Sequence, residues 1–447
     1  MTDQLDTQLL QSRAEALVEA ARKAGADQAD AIAVRGVSQS VSVRDGKVEE
    51  SERSEGDDVS LRVFVGRKTA SVSTNTGDDP SALAERAVAM ARVAPDDPHV
   101  RLADEADLVR ELPELDLLDR TDVSSSDLTE RALAAESAGL DVKDVSKSGG
   151  ASASWSLGGL VLVTSTGFSG AYLGTRHGVA MTAVAGEGTG MERDYDYASA
   201  VHLEDLDDAE TIGRNAGERA IRRLNPRKIE TQSAAVLYDR RAATGLVGHF
   251  ASAINGGAIA RGTSFLKDRM GQQLFADDVM ITDDPRRKRG LASKPFDGEG
   301  FAAEALTLID KGCLTTWLLD SATAHELGLK TNGRAARGGS APHPGSTNLT
   351  LHAGRQSPEE MMAAIGTGLL VTDLIGHGVN GVTGDYSRGA AGFWIENGEP
   401  AYPVSEITIA SNLVDMFRAL TPASDLEYRF GTNAPSVLIE GMTIAGR

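Results

Sequence analysis

The chain has 447 residues, of which 41% are hydrophobic, 25% charged and 4% aromatic. At about 150 residues per domain this is enough for two or three domains, and the apolar fraction excludes a chain that stays unfolded. The net charge of −20 disfavours direct contact of the bulk surface with nucleic acid or an anionic membrane.

A helical period in Leu9, Leu10, Ala14, Leu17, Val18 and Ala21 predicts a helix over residues 7–24, stopped by Gly25. The period then changes to two. Residues 31–34 and 37–44 read as strands, Asp45-Gly46 as a type I′ turn, and 47–51 as the returning strand. Residues 59–65 and 69–73 form a second hairpin around Gly66-Arg67, and a helix over 80–93 follows with Asp79 as its cap.

A similar order recurs. Ser126 can cap a helix over 127–138; strands follow at 152–156, 160–164, 170–176 and 178–185, then a helix over 208–224. The pattern is that of duplicated helix and antiparallel-strand units, without a residue-level repeat. Asn225-Pro226-Arg227-Lys228 ends the last helix, because proline disfavours helical geometry in the residue before it. The expected division is 1–120, 121–227 and 228–447.

The third region has a strand over 234–238, a helix over 241–254 and a hairpin with Asp310-Lys311-Gly312 between 306–309 and 313–318. A helix over 413–420, capped by Ser411 or Asn412, and a strand over 436–439 follow. With no βαβ alternation, the fold class is α+β with a strand-rich, antiparallel or barrel-like C-terminal domain.

Cys313 is the single cysteine, so an intramolecular disulfide or a multi-cysteine metal site is excluded. In its apolar strand it reads as a small core residue. Met1-Thr2-Asp3-Gln4-Leu5-Asp6 has neither a cationic nor an apolar leader segment, and the apolar window 365–382 contains Asp373 and His377. A cytoplasmic protein is therefore expected. The histidines are His99, His177, His202, His249, His325, His343, His352 and His377, none with another three to five residues away. No single helix can then offer two imidazoles to one metal. His325-Glu326 lacks the second histidine of a zincin helix, so Glu326 reads as a surface charge. The run Arg286-Arg287-Lys288-Arg289 follows Asp283-Asp284 and reads as a solvated, self-neutralising loop.

The densest polar stretch is Ile375 to Gly389, rich in glycine. His377, Asp385 and Arg388 can form a charged cluster there, and an exposed strand edge could accept an extended peptide. The alternative is a set of tight turns around a buried, hydrogen-bonded histidine.

Four C-terminal segments resemble the TldD/PmbA family, and more narrowly its PmbA (TldE) branch. They are Leu374-Ile375-Gly376-His377-Gly378-Val379-Asn380, Thr383-Gly384-Asp385-Tyr386-Ser387-Arg388-Gly389, Phe393-Trp394-Ile395-Glu396-Asn397-Gly398, and Pro403-Val404-Ser405-Glu406-Ile407-Thr408-Ile409-Ala410. Val43-Arg44-Asp45-Gly46-Lys47, the segment 290–300 and Gly441-Met442-Thr443-Ile444-Ala445-Gly446 support it. The resemblance implies a cytoplasmic heterodimeric metalloprotease acting on unfolded or flexible peptides, with roles in microcin maturation and antitoxin turnover. In the TldD branch a helix bearing HExxxH and a C-terminal cysteine hold the catalytic metal, and the bound water attacks the scissile carbonyl.

Here the corresponding helix reads Gly245-Leu246-Val247-Gly248-His249-Phe250-Ala251-Ser252-Ala253-Ile254-Asn255, and Gly431-Thr432-Asn433-Ala434 has no cysteine. The expected role is thus a subunit without the metal, paired with a TldD-type partner that carries it as zinc. His377, Asn380, Asp385 and Arg388 are the candidate peptide or interface contacts. Two other readings stay open: a self-contained homodimeric peptidase with dispersed His and Asp ligands, and a non-enzymatic regulator. The family has also been called a modulator of DNA gyrase, and the acidic charge favours an indirect effect there.

Overall fold

The computed structural model describes residues 7–75, 79–339 and 341–446. The leader reading of Met1 to Asp6 therefore lies outside the described residues. Helix α1 (Thr7–Lys23) buries Leu10, Ala14, Leu17, Val18 and Ala21, and Gly25 closes it at φ +100°. Strands β1 (Gln28–Arg44), β2 (Lys47–Val65) and β3 (Lys68–Asn75) precede α2 (Pro80–Val93), whose cap Asp79 accepts the Ser81 amide. Asp45 and Gly46 both have positive φ, as a type I′ turn requires.

Helix α3 (Ser125–Leu140) starts earlier than expected. Ser124, not Ser126, is its cap, because Ser124 makes a reciprocal capping box with Asp127. Strands β4 (Val145–Thr164), β5 (Ser169–Ala185) and β6 (Glu192–Ala200) and helix α4 (Ala209–Arg222) complete the N-terminal region. Strand β6 is an addition to the expected elements; its signal is the alternation of Asp194 and Asp196 with Tyr195 and Tyr197.

One antiparallel sheet, in the order β3-β2-β1-β4-β5-β6, carries both helix pairs. Where the sequence suggests breaks, the strands continue. Gly36 lies opposite Gly56 and Gly158, and Gly158 opposite Gly174, so a row of glycines crosses four strands. On one side of the row α1 and α2 bury Ala31, Leu61 and Val163; on the other, α3 and α4 bury Val41, Ala153 and Val179. A glycine row permits sheet curvature without side-chain collision, which suits a surface changing helix partners at that line.

α3 and α4 cross closely. A Cβ at Gly213 would lie 1.9 Å from the Ala135 carbonyl oxygen, and one at Gly217 2.8 Å from that of Gly139. Gly213→Ala is expected to cost about 2 kcal/mol or more, because backbone rather than a mobile side chain must yield. A thermal midpoint unchanged by that variant would remove the close crossing as a determinant of stability.

The C-terminal region begins with β7 (Gln232–Tyr238), α5 (Arg240–Ala253) and α6 (Gly256–Ala260). Short strands β8 (Ile281–Asp283), β9 (Leu306–Asp310) and β10 (Cys313–Leu314) follow, then α7 (Ser321–Glu326), β11 (Ala335–Ala336), β12 (His343–Pro344) and β13 (Leu349–Leu351). Next come α8 (Pro358–Ile365), β14 (Gly368–Ile375), β15 (Asp385–Glu396), β16 (Glu399–Asn412), α9 (Leu413–Ala419), β17 (Leu420–Pro422), β18 (Thr432–Asn433) and β19 (Val437–Ala445). Asn412, not Ser411, caps α9 by accepting the Val414 amide.

The main sheet runs β16-β15-β14-β7-β19-β17, and an extra β16–β19 pairing closes it into a barrel. One pairing in it, β7 with β14, is parallel and the others are antiparallel, in keeping with the expected strand-rich, barrel-like domain. The long connection through α5 places those two strands side by side in the same direction. A second sheet, β10-β9-β8-β13-β18, sits beside the barrel and is pinned by a buried ion pair. Asp283 there takes Arg334 rather than the adjacent basic run.

That run is corrected too. Arg286 pairs with Glu304, Arg287 lies over the Tyr428 ring at 4.3 Å, and Arg289 binds Asp116, Glu204 and Asp205 from the preceding region. Arg289 thus fastens the two regions together. Cys313 likewise departs from the core reading: it is half-buried and its thiol donates to Gln273 Oε1 at 2.8 Å.

Candidate functional site

The four candidate residues fall on and beside one loop, Gly376 to Gly384, between β14 and β15. Asn380 Oδ1 accepts the Val382 and Thr383 amides, an Asx-type turn. Asp385 accepts Thr383 Oγ1 at 2.6 Å and Asn412 Nδ2 at 3.2 Å. Gly378 packs so tightly that a Cβ would sit 1.8 Å from the Ser387 carbonyl oxygen. Asn380 and Asp385 therefore hold the loop's shape. His377 is exposed, which overturns the reading of a buried histidine, since the tight turns leave it no core to enter. Around it Ile375 is 62% and Val382 56% exposed, so the loop presents apolar and imidazole groups outward.

Of the two strands beside this loop, β15 is paired on both sides and β14 only in part. β15 lies between β14 and β16, but β14 pairs with β7 only over Gly368 to Val371. Among the described residues its loop-side half, Thr372 to Ile375, therefore has a strand partner on the β15 side alone. Barrel closure uses the hydrogen-bonding groups of β15 and of the first half of β14 internally.

Arg388, the fourth residue, reaches Ile375 O at 3.4 Å and lies close enough to His249 to act on its charge. His249 belongs to α5, which begins at the cap Asp239, whose carboxylate accepts the Ala242 amide. Burial pushes the Asp239 carboxyl up to about 6, against the pull of Arg241. The His249 ring meets Tyr386 edge-on, with centroids 6.1 Å apart, and its buried Nε2 has no hydrogen-bond partner among the described residues. Burial, then the Arg388 charge, lowers its pKa, so the imidazole is neutral at pH 7.

Across α5 stands β18. Asn433, in the segment that the family resemblance sets against the cysteine of the metal-bearing branch, is 1% exposed. Its Oδ1 accepts the Arg429 and Phe430 amides, and its Nδ2 donates to the Phe430 carbonyl. Its amide is thus committed to its own turn. A metal ion does not fit these residues: one imidazole beside a guanidinium and one saturated amide supply no ligand set. Among the described residues, no three His, Cys, Asp or Glu side chains gather elsewhere as one.

A cavity of about 510 Å³ opens beside the start of α5, lined by Arg241, Thr244, Met362, Phe430, Asn433 and Tyr197. Tyr195 and Tyr197 stack at 6.1 Å, and Tyr197 meets Phe430 at 5.0 Å. Arg219 and Arg241 both donate to the Tyr195 carbonyl, and Asp194 accepts the Tyr195 amide. The outer edge of β6 is therefore capped at Tyr195 by side chains. The cavity can take a side chain with apolar and polar parts, but a strand cannot add at that point.

Comparison with known proteins gives this architecture a class. Residues 29–91 match the PmbA/TldA metallopeptidase domain 1, 119–224 the central domain, and 231–446 the C-terminal domain. Metalloprotease PmbA of Escherichia coli O157:H7 is 40% identical over 413 residues, covering 91% of this chain and 90% of that protein. The Haemophilus influenzae PmbA homologue is 36% identical, covering 96% and 94% respectively. A crystal structure from Bacteroides thetaiotaomicron, described as a proposed modulator of DNA gyrase, superposes with a TM-score of 0.89 at 26% identity, covering 98% of each chain. TldE from Thermococcus kodakarensis shares the fold, with a TM-score of 0.86 at 19% identity, covering 97% of this chain and 100% of that one. The chain belongs to the PmbA/TldD metallopeptidase family, in its PmbA branch.

Proposed function

We propose that this chain is the subunit of a TldD–TldE-type metalloprotease that does not carry the metal, and that it helps enclose unfolded or flexible peptides for a TldD-type partner. The observation that carries this reading is the state of the two positions where the metal-bearing branch has its ligands. His249 faces Tyr386 and Arg388, and the Asn433 amide is saturated by its own turn. The loop bearing His377 and the cavity beside α5 are the surfaces offered to peptide or partner. With β15 paired on both sides, contact is through side chains at the loop and the cavity mouth and through the β14 backbone beside the loop.

Cleavage of unfolded casein by this chain, by a TldD-type partner and by both together tests the reading. Chelator-sensitive cleavage is expected in the mixture at a level neither component reaches alone. Such cleavage by this chain alone would overturn it in favour of a self-contained peptidase. In the active mixture, His377→Ala and Arg388→Ala are each expected to lower kcat/KM about tenfold or more, equivalent to about 1.4 kcal/mol. Unchanged cleavage by both variants would remove these residues as contacts.

A further inference from the structure

No helix of this chain can present two imidazoles, but the tertiary fold brings two together from 226 positions apart. His99 stands on the segment after α2, and its backbone amide is held by Asp97 Oδ1 at 2.9 Å. His325 stands in the last turn of α7, in the C-terminal region. Their Nδ1 atoms are 3.0 Å apart and their ring centroids 5.3 Å, with the planes inclined at 57°. His325 is exposed and His99 half-buried.

We propose that His99 and His325 form a two-imidazole site for a divalent transition ion of the copper–zinc class, separate from the catalytic chemistry of the family. With metal–nitrogen bonds of about 2.0–2.1 Å, two ligands subtend about 2.9 Å at a right angle and about 3.3 Å at a tetrahedral one. The observed separation falls between these, so an ion is held once both rings turn their Nδ1 lone pairs from each other toward one point. The remaining coordination positions face solvent and take water. Without an ion, the pair is satisfied by complementary tautomers, one Nδ1–H donating to the bare Nδ1 of the other. Metal binding replaces that hydrogen bond: both Nδ1 atoms become ligands, and the proton moves to the outer Nε2 of the ring that carried it. The ion ties the segment after α2 to α7, joining the N-terminal sheet region to the C-terminal domain. The site is too poor in ligands for hydrolytic chemistry, and its ligands lie apart from α5 and β18.

Titration calorimetry of the purified chain with Cu²⁺ alone, and separately with Zn²⁺ alone, tests this. One equivalent of ion is expected to bind, with Cu²⁺ tighter than Zn²⁺. His99→Ala and His325→Ala are each expected to weaken that site about tenfold to a hundredfold, while the metal-free thermal midpoint moves little. Added ion is expected to raise the midpoint of the wild-type chain and not of either variant. A wild-type chain that binds no more ion than the double variant would overturn the proposal and leave a hydrogen-bonded pair only. Wild-type affinity retained in both single variants would overturn it as well, by placing the ion on other histidines.

Discussion

Arg334→Ala is expected to destabilise the chain by about 3–5 kcal/mol, the range for removing one partner of a buried ion pair. Arg334 and Asp283 are both completely buried. The guanidinium uses Nε on Asp283 Oδ2 at 2.5 Å, Nη1 on the Asn332 and Gly333 carbonyls, and Nη2 on the Asp283 and Glu304 carbonyls. Asp283 also accepts the Thr347 amide at 2.6 Å and its hydroxyl at 2.9 Å. Removing the cation therefore strands a carboxylate and several backbone carbonyls together. Urea unfolding measures the effect, and Asp283→Ala/Arg334→Ala is expected to lose less than the sum of the singles, because the two act as one unit. An unfolding free energy unchanged by Arg334→Ala would show that the turns hold the second sheet without it.

The second large effect is alkaline lability from Glu299, in the segment Gly290 to Gly300. Glu299 is 4% exposed and its Oε2 accepts the Ser321 amide. Burial, reinforced by the negative charge of Asp297, raises its carboxyl to about 8. The folded pKa is above the ordinary value of 4.5, so the unfolded state releases its proton first as pH rises. The stability that depends on this proton is fully present below pH 4.5 and is lost as pH rises from there through 8. The loss is on the order of a few kcal/mol by pH 9, since a tenfold difference in acidity between folded and unfolded chain is equivalent to about 1.4 kcal/mol. Glu299→Gln keeps the acceptor oxygen and cannot ionise. Its thermal midpoint is expected to stay flat between pH 6 and pH 9 relative to wild type, which falls. Parallel falls in both proteins would assign the alkaline loss to another group.

Asp297 and Glu299 sit at the junction between the N-terminal sheet and the C-terminal region. Phe296 packs edge-on to Phe168 and Tyr172 from that sheet, with centroids 5.0 Å and 5.4 Å away. At the same junction Asp30 of β1 takes both Arg62 of β2 and Arg337 of the C-terminal region. The junction is therefore a buried mixture of rings and ion pairs. Such a junction is expected to fix the relative placement of the two regions more than it adds net stability.

Local chemistry was legible in the sequence where one stretch of chain decides the outcome. Helix periods, the Asp79 cap, the Asp45-Gly46 turn and the C-terminal family motifs each depend on neighbours a few residues apart. The shortage of metal ligands on α5 was legible for the same reason, because ligand spacing on a helix is a local property. The four candidate contacts lie close together in the chain, and the fold keeps them around one loop.

What the tertiary structure alone decided involves groups whose meaning depends on distant partners. Gly36, Gly56 and Gly158 fall between the expected strands and Gly174 inside one, and only strand register shows the four as a row inside continuous strands. His99 and His325 meet only because α7 docks against the segment after α2. Arg289 looks like part of a solvated run until Asp116, Glu204 and Asp205 arrive from another region. By itself the sequence determined most of the elements, the family resemblance and the shortage of ligands. The fold decided which edges are closed, which charges are buried and which imidazoles face one another, because those outcomes are set by packing across the chain.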